Sequence, residues 1–271
     1  MIKQFHRGCL WGAVLALLPL AGWANPNAPL PAVDEVVKRA LERGKLEEEN
    51  ELKFKQQYYF VRSRKTEIRN SDGDIKKSKT KISTNSPLAI LALMAAQPSA
   101  VRQPMVSPKQ AVSAKAEKPE IPPEVAAKFD KKKFQFDQAL ANRFDFKLVG
   151  REQTNGSSLL VVDFAPKKTK LPDKGLQDRV INRMAGRVWL DEREFAVQKC
   201  AVHLTESISI VGGIVGEAQK FFYAFERERT EDGLWYVRES KWHLEGRQVV
   251  VHREADYHET RTDVRKEVPA K

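Results

Sequence analysis

Two hydrophobic periods follow one another along this chain. From Pro31 to Gly44, Val33, Val36, Val37, Ala40 and Leu41 recur three or four apart, which predicts a helix with one apolar stripe. Pro31, Asp34 and Glu35 suit its start, and Arg43 with Gly44 suits its end. The period then shortens. Leu52, Phe54, Tyr58 and Phe60 share one side of an alternating run with Lys53, Lys55, Gln57 and Tyr59 between them, predicting a long strand. Ser71-Asp72-Gly73-Asp74 reads as a turn into a second strand from about Ile75 to Ser83.

A short helix is expected over Phe134 to Arg143, with Phe136, Ala139, Leu140 and Phe144 inward. Strands are then expected at Asp145 to Thr154, Ser158 to Ala165, Gly186 to Leu190, Phe195 to Glu206, Ala218 to Arg229, Leu234 to Leu244 and Gln248 to about Val264. The turns between them include Asn155-Gly156, Glu231-Asp232-Gly233 and Glu245-Gly246-Arg247, with a loop after Ala165. Hairpin connections of this length make an antiparallel meander of about nine strands, and a sheet that wide curls. The fold class is mainly β with few helices.

Several strands carry large apolar residues on both faces: Phe221, Phe222, Tyr223 and Phe225 in one, and Leu234, Trp235, Tyr236, Val237, Trp242 and Leu244 in the next. A sheet packed on one side alternates more cleanly. Two readings stand side by side, a hydrophobic cavity closed by helices and an ordinary packed β core. In the cavity reading, Phe222, Tyr223, Phe225, Trp235, Tyr236 and Trp242 contribute to the lining, and Trp189 packs under a helix.

Two segments break the pattern. From about 85 to 133 lie seven of the fourteen prolines, among much alanine, lysine and serine, a composition that does not support a packed sheet. It is read as a flexible insertion with one apolar island, Leu88 to Ala96. Between Ser207 and Gly216, Ile208, Ile210, Val211, Ile214 and Val215 sit among glycines, where a connection is ordinarily polar. That stretch is either a gate or membrane-contact loop, or a buried bulge or short strand extension.

The 271 residues, 41% hydrophobic and 31% charged, can bury a sizeable core. Residues 1 to 24 hold Lys3, His6 and Arg7, then the apolar run Cys9 to Leu18, then Gly22-Trp23-Ala24, the three parts of a secretory signal peptide cleaved after Ala24. Its removal takes two bases and no acid from a net charge of +11. The expected mature protein is exported, periplasmic, and soluble or peripherally membrane-associated. It forms a single β domain over 25 to 271, with Cys200 a small buried apolar group.

Familiar catalytic signatures do not occur: no G-x-x-x-x-G-K loop, no G-x-S-x-G elbow and no H-E-x-x-H pair. His252 and His258, six apart on one strand, are ~20 Å apart at ~3.3 Å per residue, too far to share a metal. No catalytic residue, metal or cofactor is expected. Asn155-Gly156-Ser157 is more economically a hairpin turn than a glycosylation acceptor. The basic excess fits anionic headgroups or envelope surfaces better than nucleic acid, which an exported chain rarely meets.

The run Leu159-Leu160-Val161-Val162-Asp163-Phe164-Ala165-Pro166-Lys167, followed by Gly186-Arg187-Val188-Trp189-Leu190-Asp191, resembles the LolA/LolB-like superfamily of outer-membrane lipoprotein-sorting proteins. There a strand ending in Pro-Lys precedes a Gly-x-hydrophobic-Trp-hydrophobic-Asp hairpin. The resemblance implies an unclosed barrel, lined with apolar side chains and lidded by two or three helices, that carries acyl chains without catalysis. Its implied partners are a lipid or acylated lipoprotein and proteins of the inner or outer membrane. The competing function is an envelope protein-interaction module or stress sensor of related fold.

Overall fold

The computed structural model describes residues 29–89, 136–154, 157–210, 216–248 and 251–267. The signal-peptide segment, nearly all of the proline-rich insertion and the turn at Asn155-Gly156 lie outside the described residues. The first helix, α1 (Val33–Gly44), forms where the apolar stripe predicts it and buries Val36, Ala40 and Leu41. A second helix, α2 (Glu47–Gln57), replaces the first part of the expected long strand. Three acids open it, and the pairs Glu49–Lys53 (2.7 Å) and Glu51–Lys55 (3.0 Å) span its turns. Leu52 is left exposed, whereas Phe54 is fully buried.

Strand β1 (Tyr58–Arg69) follows directly, and β2 (Ile75–Asn85) returns two residues beyond the expected end. Next come the one-turn helix α3 (Gln138–Ala141), capped by Asp137, and β3 (Phe144–Thr154) and β4 (Ser157–Pro166). In α3 it is Ala141, not Ala139, that is buried. A helix the pattern did not reveal, α4 (Leu176–Ile181), interrupts the loop before β5 (Met184–Asp191). The remaining strands are β6 (Val197–Leu204), β7 (Ile208–Ile210), β8 (Gly216–Arg229), β9 (Trp235–Gln248) and β10 (Val251–Lys266).

Among the described residues ten strands therefore stand where nine are expected, because Ile208–Ile210 pairs with β8 as a short strand. Glu245-Gly246-Arg247 is no turn either, since β9 runs through it. Gly246 lies inside a strand because the neighbouring backbone is close: an added Cβ would sit 2.6 Å from the Glu217 carbonyl oxygen. The expected start of β6 at Phe195 moves to Val197. Phe195 takes a positive φ of 57° in the hairpin, whose backbone Asp191 organises by accepting from the Arg193 and Glu194 amides at 2.9 Å.

All pairings are antiparallel, in the order β2-β1-β10-β9-β8-β6-β5-β4-β3. The first hairpin thus joins the sheet through the last strand. The two edges, β2 and β3, do not pair with each other, so the sheet is an unclosed barrel. One core lies under α1, where Val36 and Ala40 meet Leu160, Val162 and Leu190. A second lies under α2, where the Phe54 ring stacks on Tyr58, Phe60 and Tyr236 at 4.9–5.3 Å. No helix among the described residues is long and apolar enough to cross a membrane.

Candidate functional site

Directly opposed residues of antiparallel strands point to the same face, so the register assigns the concave lining. Phe164 faces Gly186, which faces Val202; Val202 faces Tyr223, and Tyr223 faces Trp242. Two residues along, Val162, Val188, Cys200 and Phe225 form a parallel row on the same face. Gly186 has no alternative there, since a Cβ would lie 2.2 Å from the Ala201 carbonyl oxygen.

The concave face does not close on itself. Between it and the helices is a cavity of about 830 Å³, within the upper range for small-molecule sites. Val37 and Ala40 of α1 roof it, Leu176, Val180 and Ile181 of α4 wall one side, and Phe136 with Leu140 closes another. Its lining among the described residues is apolar throughout, with heteroatoms only on Met184, Cys200, Tyr223 and Trp242. Burial pushes the Cys200 thiol up to about 12. It does the same to the Tyr223 hydroxyl, also to about 12, with smaller contributions from Cys200 and Glu259. Both groups are therefore neutral at physiological pH.

Of the aromatic residues singled out in the sequence, Tyr223, Phe225 and Trp242 line this cavity. Phe222 alternates to the convex face, where it opposes His203 and His243. Trp235 is buried elsewhere: Asn50 bonds both its amide (3.0 Å) and its carbonyl (2.6 Å), and its indole N–H donates to Glu194 at 2.9 Å. Tyr236 lies beneath Phe54. Trp189 does not pack under a helix; it is on the convex face with its indole N–H donating to Glu152 at 2.7 Å. Ile208 is buried and lines the cavity, Ile210 belongs to β7, and Val211, Ile214 and Val215 lie outside the described residues.

Pattern reading missed Phe221, Leu244, Val188 and Leu190, which line the cavity. Strand parity was the available signal: Phe221 and Leu244 share the face of Tyr223 and Trp242. On the convex side, His243 lies between Asp256 (2.8 Å) and Glu245 (3.1 Å). Burial disfavours its charge, but these hydrogen bonds outweigh that and raise its pKa. No group of three or more His, Cys, Asp or Glu side chains among the described residues could hold a metal ion.

No protein-family model matches the chain, and no curated protein matches it in sequence. Solved structures do match. A putative outer membrane lipoprotein-sorting protein domain from Vibrio parahaemolyticus is 12% identical, covering 88% of this chain and 94% of its own, with a TM-score of 0.33. A LolA superfamily protein from Nitrosomonas europaea is 11% identical over 86% of this chain and 94% of its own, with a TM-score of 0.26. A chain of the Pseudomonas aeruginosa MucA/MucB complex is 10% identical over 86% of this chain and 99% of its own, with a TM-score of 0.22. The chain is similar to LolA-superfamily proteins of known structure. The fold itself rests on the sheet order and register described above.

Proposed function

We propose that this protein is an exported, non-catalytic carrier or binding protein for an acylated or lipidic ligand, acting in outer-membrane lipoprotein sorting or lipid traffic. The observation that carries this reading is the cavity of about 830 Å³, lined by apolar side chains and free of ionised groups among the described residues. Burial of each CH₂ stabilises a complex by ~0.8 kcal/mol, so an acyl chain of about fourteen methylenes gains roughly 11 kcal/mol before the entropic cost of binding. Tyr223, Phe225 and Trp242, with Val188, Leu190 and Phe221, are the proposed acyl contacts. Residues 1 to 24 act as the export signal in this reading.

Solvent extraction of the full chain, expressed with its leader and purified without detergent, is expected to release an acyl lipid near one per protein by mass spectrometry. Val188→Trp or Ala218→Trp, each filling the cavity from its wall, lowers that load several-fold while the urea midpoint stays within the range of overpacked variants. A lipid-free wild-type protein that also takes up no fluorescent fatty acid overturns the reading.

A further inference from the structure

Strand parity divides the charges of β1, β2 and β10 unequally. On the convex face, cations meet carboxylates: Lys65 with Glu67 (2.9 Å) and Arg69 with Asp256 (3.3 Å). The concave face is different. Trp242 opposes Tyr257, Tyr257 opposes Thr66, and Thr66 opposes Lys79, so this row continues the face that lines the cavity. Two residues along, Glu259, Arg64 and Lys81 are aligned, and two further on are Arg261 and Arg62.

Arg261 is nine-tenths buried, with its guanidinium over the Phe60 ring (5.2 Å). Only its Nη2 is hydrogen-bonded, to Glu51 at 3.3 Å, while Nε and Nη1 have no hydrogen-bond partner. The Nε atoms of Arg62 and Arg64 are likewise buried and without one. Facing these three arginines are the carboxylates of Glu259, 3.9 Å from the Arg261 Nε, and Glu51. Glu259 already accepts from the Tyr257 hydroxyl (2.7 Å), and Glu51 already pairs with Lys55. Buried guanidinium nitrogens left without hydrogen-bond acceptors are costly unless an anion completes them.

The strip adjoins the hollow. Tyr257 stacks on the cavity residue Trp242 at 5.6 Å, with the rings within 9° of parallel. Arg64 is two strands across and two residues along from Trp242, ~12 Å at ~4.8 Å per strand and ~3.3 Å per residue, a span one amphiphile bridges.

We propose that Arg62, Arg64 and Arg261 form a headgroup site for a phosphate-bearing anionic lipid whose acyl chain occupies the apolar cavity. This rests on the carrier reading and specifies its ligand class. The chemistry is bidentate guanidinium recognition of phosphate oxygens, on a face whose aromatic neighbours exclude water. Specificity then lies at the strip, since a wall of hydrocarbon takes any chain of suitable size.

The test titrates the full chain with myristoyl lysophosphatidylglycerol, myristoyl lysophosphatidylcholine and inorganic phosphate, following tryptophan fluorescence and calorimetry. The anionic lysolipid is expected to bind at least about tenfold tighter than the zwitterionic one, with the ratio shrinking toward about 0.5 M salt. Inorganic phosphate alone should not compete at lysolipid concentrations. Arg62→Gln with Arg64→Gln should bring the two lysolipids within about twofold, while Arg62→Lys with Arg64→Lys keeps most of the preference. Should the glutamine pair fail to fold, the wild-type salt titration decides. Equal binding of both lysolipids by the wild type overturns the headgroup site and leaves the carrier reading standing; binding of neither overturns both. Competition by inorganic phosphate at those concentrations assigns the strip to free phosphate and overturns the lipid assignment.

Discussion

Cys200 illustrates how one side chain takes its chemistry from its surroundings. It faces Val188 on one strand and Phe225 on the other, in the cavity wall, and burial holds its thiol neutral at a pKa of about 12. Because the thiolate is the reactive form, alkylation by iodoacetamide at pH 8 should run on the order of a thousandfold slower than for an unfolded cysteine. Urea should restore the ordinary rate. Fast alkylation of the folded protein, measured by mass shift, would place the thiol in water and contradict the closed wall. Gly186 and Gly246 carry the complementary lesson. Neither lies in a turn, and each exists because a neighbouring carbonyl oxygen occupies the space a Cβ would need. A glycine inside an alternating run looks like a hairpin until the adjacent strand is known, which is why Glu245-Gly246-Arg247 reads as a turn.

The segment 47–60 shows one stretch of chain serving two periods. Phe54, Tyr58 and Phe60 are spaced for a strand, yet Phe54 belongs to α2 and folds back so that its ring lies on Tyr58, Phe60 and Tyr236. The local helical signal was present in the Glu47–Glu49 start and the Glu–Lys pairs at i, i+4. What outweighed it was the alternation of aromatics, whose real partners are on β9, some 180 residues away. Phe54→Ala removes a fully buried ring from the second core and should lower stability by about 3–5 kcal/mol. Urea denaturation checks this; a loss below about 1 kcal/mol would mean that the core under α2 contributes little to the fold. Helix α1, by contrast, was legible in full because its stripe, start and stop agree.

The order of strands makes β10 the keystone of the molecule. It pairs with β9 on one side and with β1 on the other, and among the described residues no other strand of the sheet pairs with the first hairpin. Deleting 249–271 should therefore cost more than the last strand: β1 and β2 lose their neighbour, and the arginine strip is dismantled. The expected outcome is loss of a cooperative urea transition by circular dichroism, and a truncated chain that still unfolds cooperatively at the wild-type midpoint would refute this reading of the topology. The meander from β3 to β9 was readable because hairpin turns make sequence neighbours into spatial neighbours, with β7 slipped in as a short extra strand beside β8. The β1–β10 pairing was not, since nothing local records a contact across the whole length of the chain.

Alternation, turn residues and the helical stripe are short-range properties, and they suffice for mainly antiparallel strands, an amphipathic opening helix and aromatics on both faces of the later strands. The existence of a hollow, and which aromatic enters it, depends on register between strands. A one-residue difference carries Phe222 to the convex face while Tyr223 and Phe225 stay in the cavity. The same long-range pairing sets arginines from β1 and β10 side by side next to the apolar lining. Such juxtapositions arise from packing across the sheet, and no local stretch of the chain contains them.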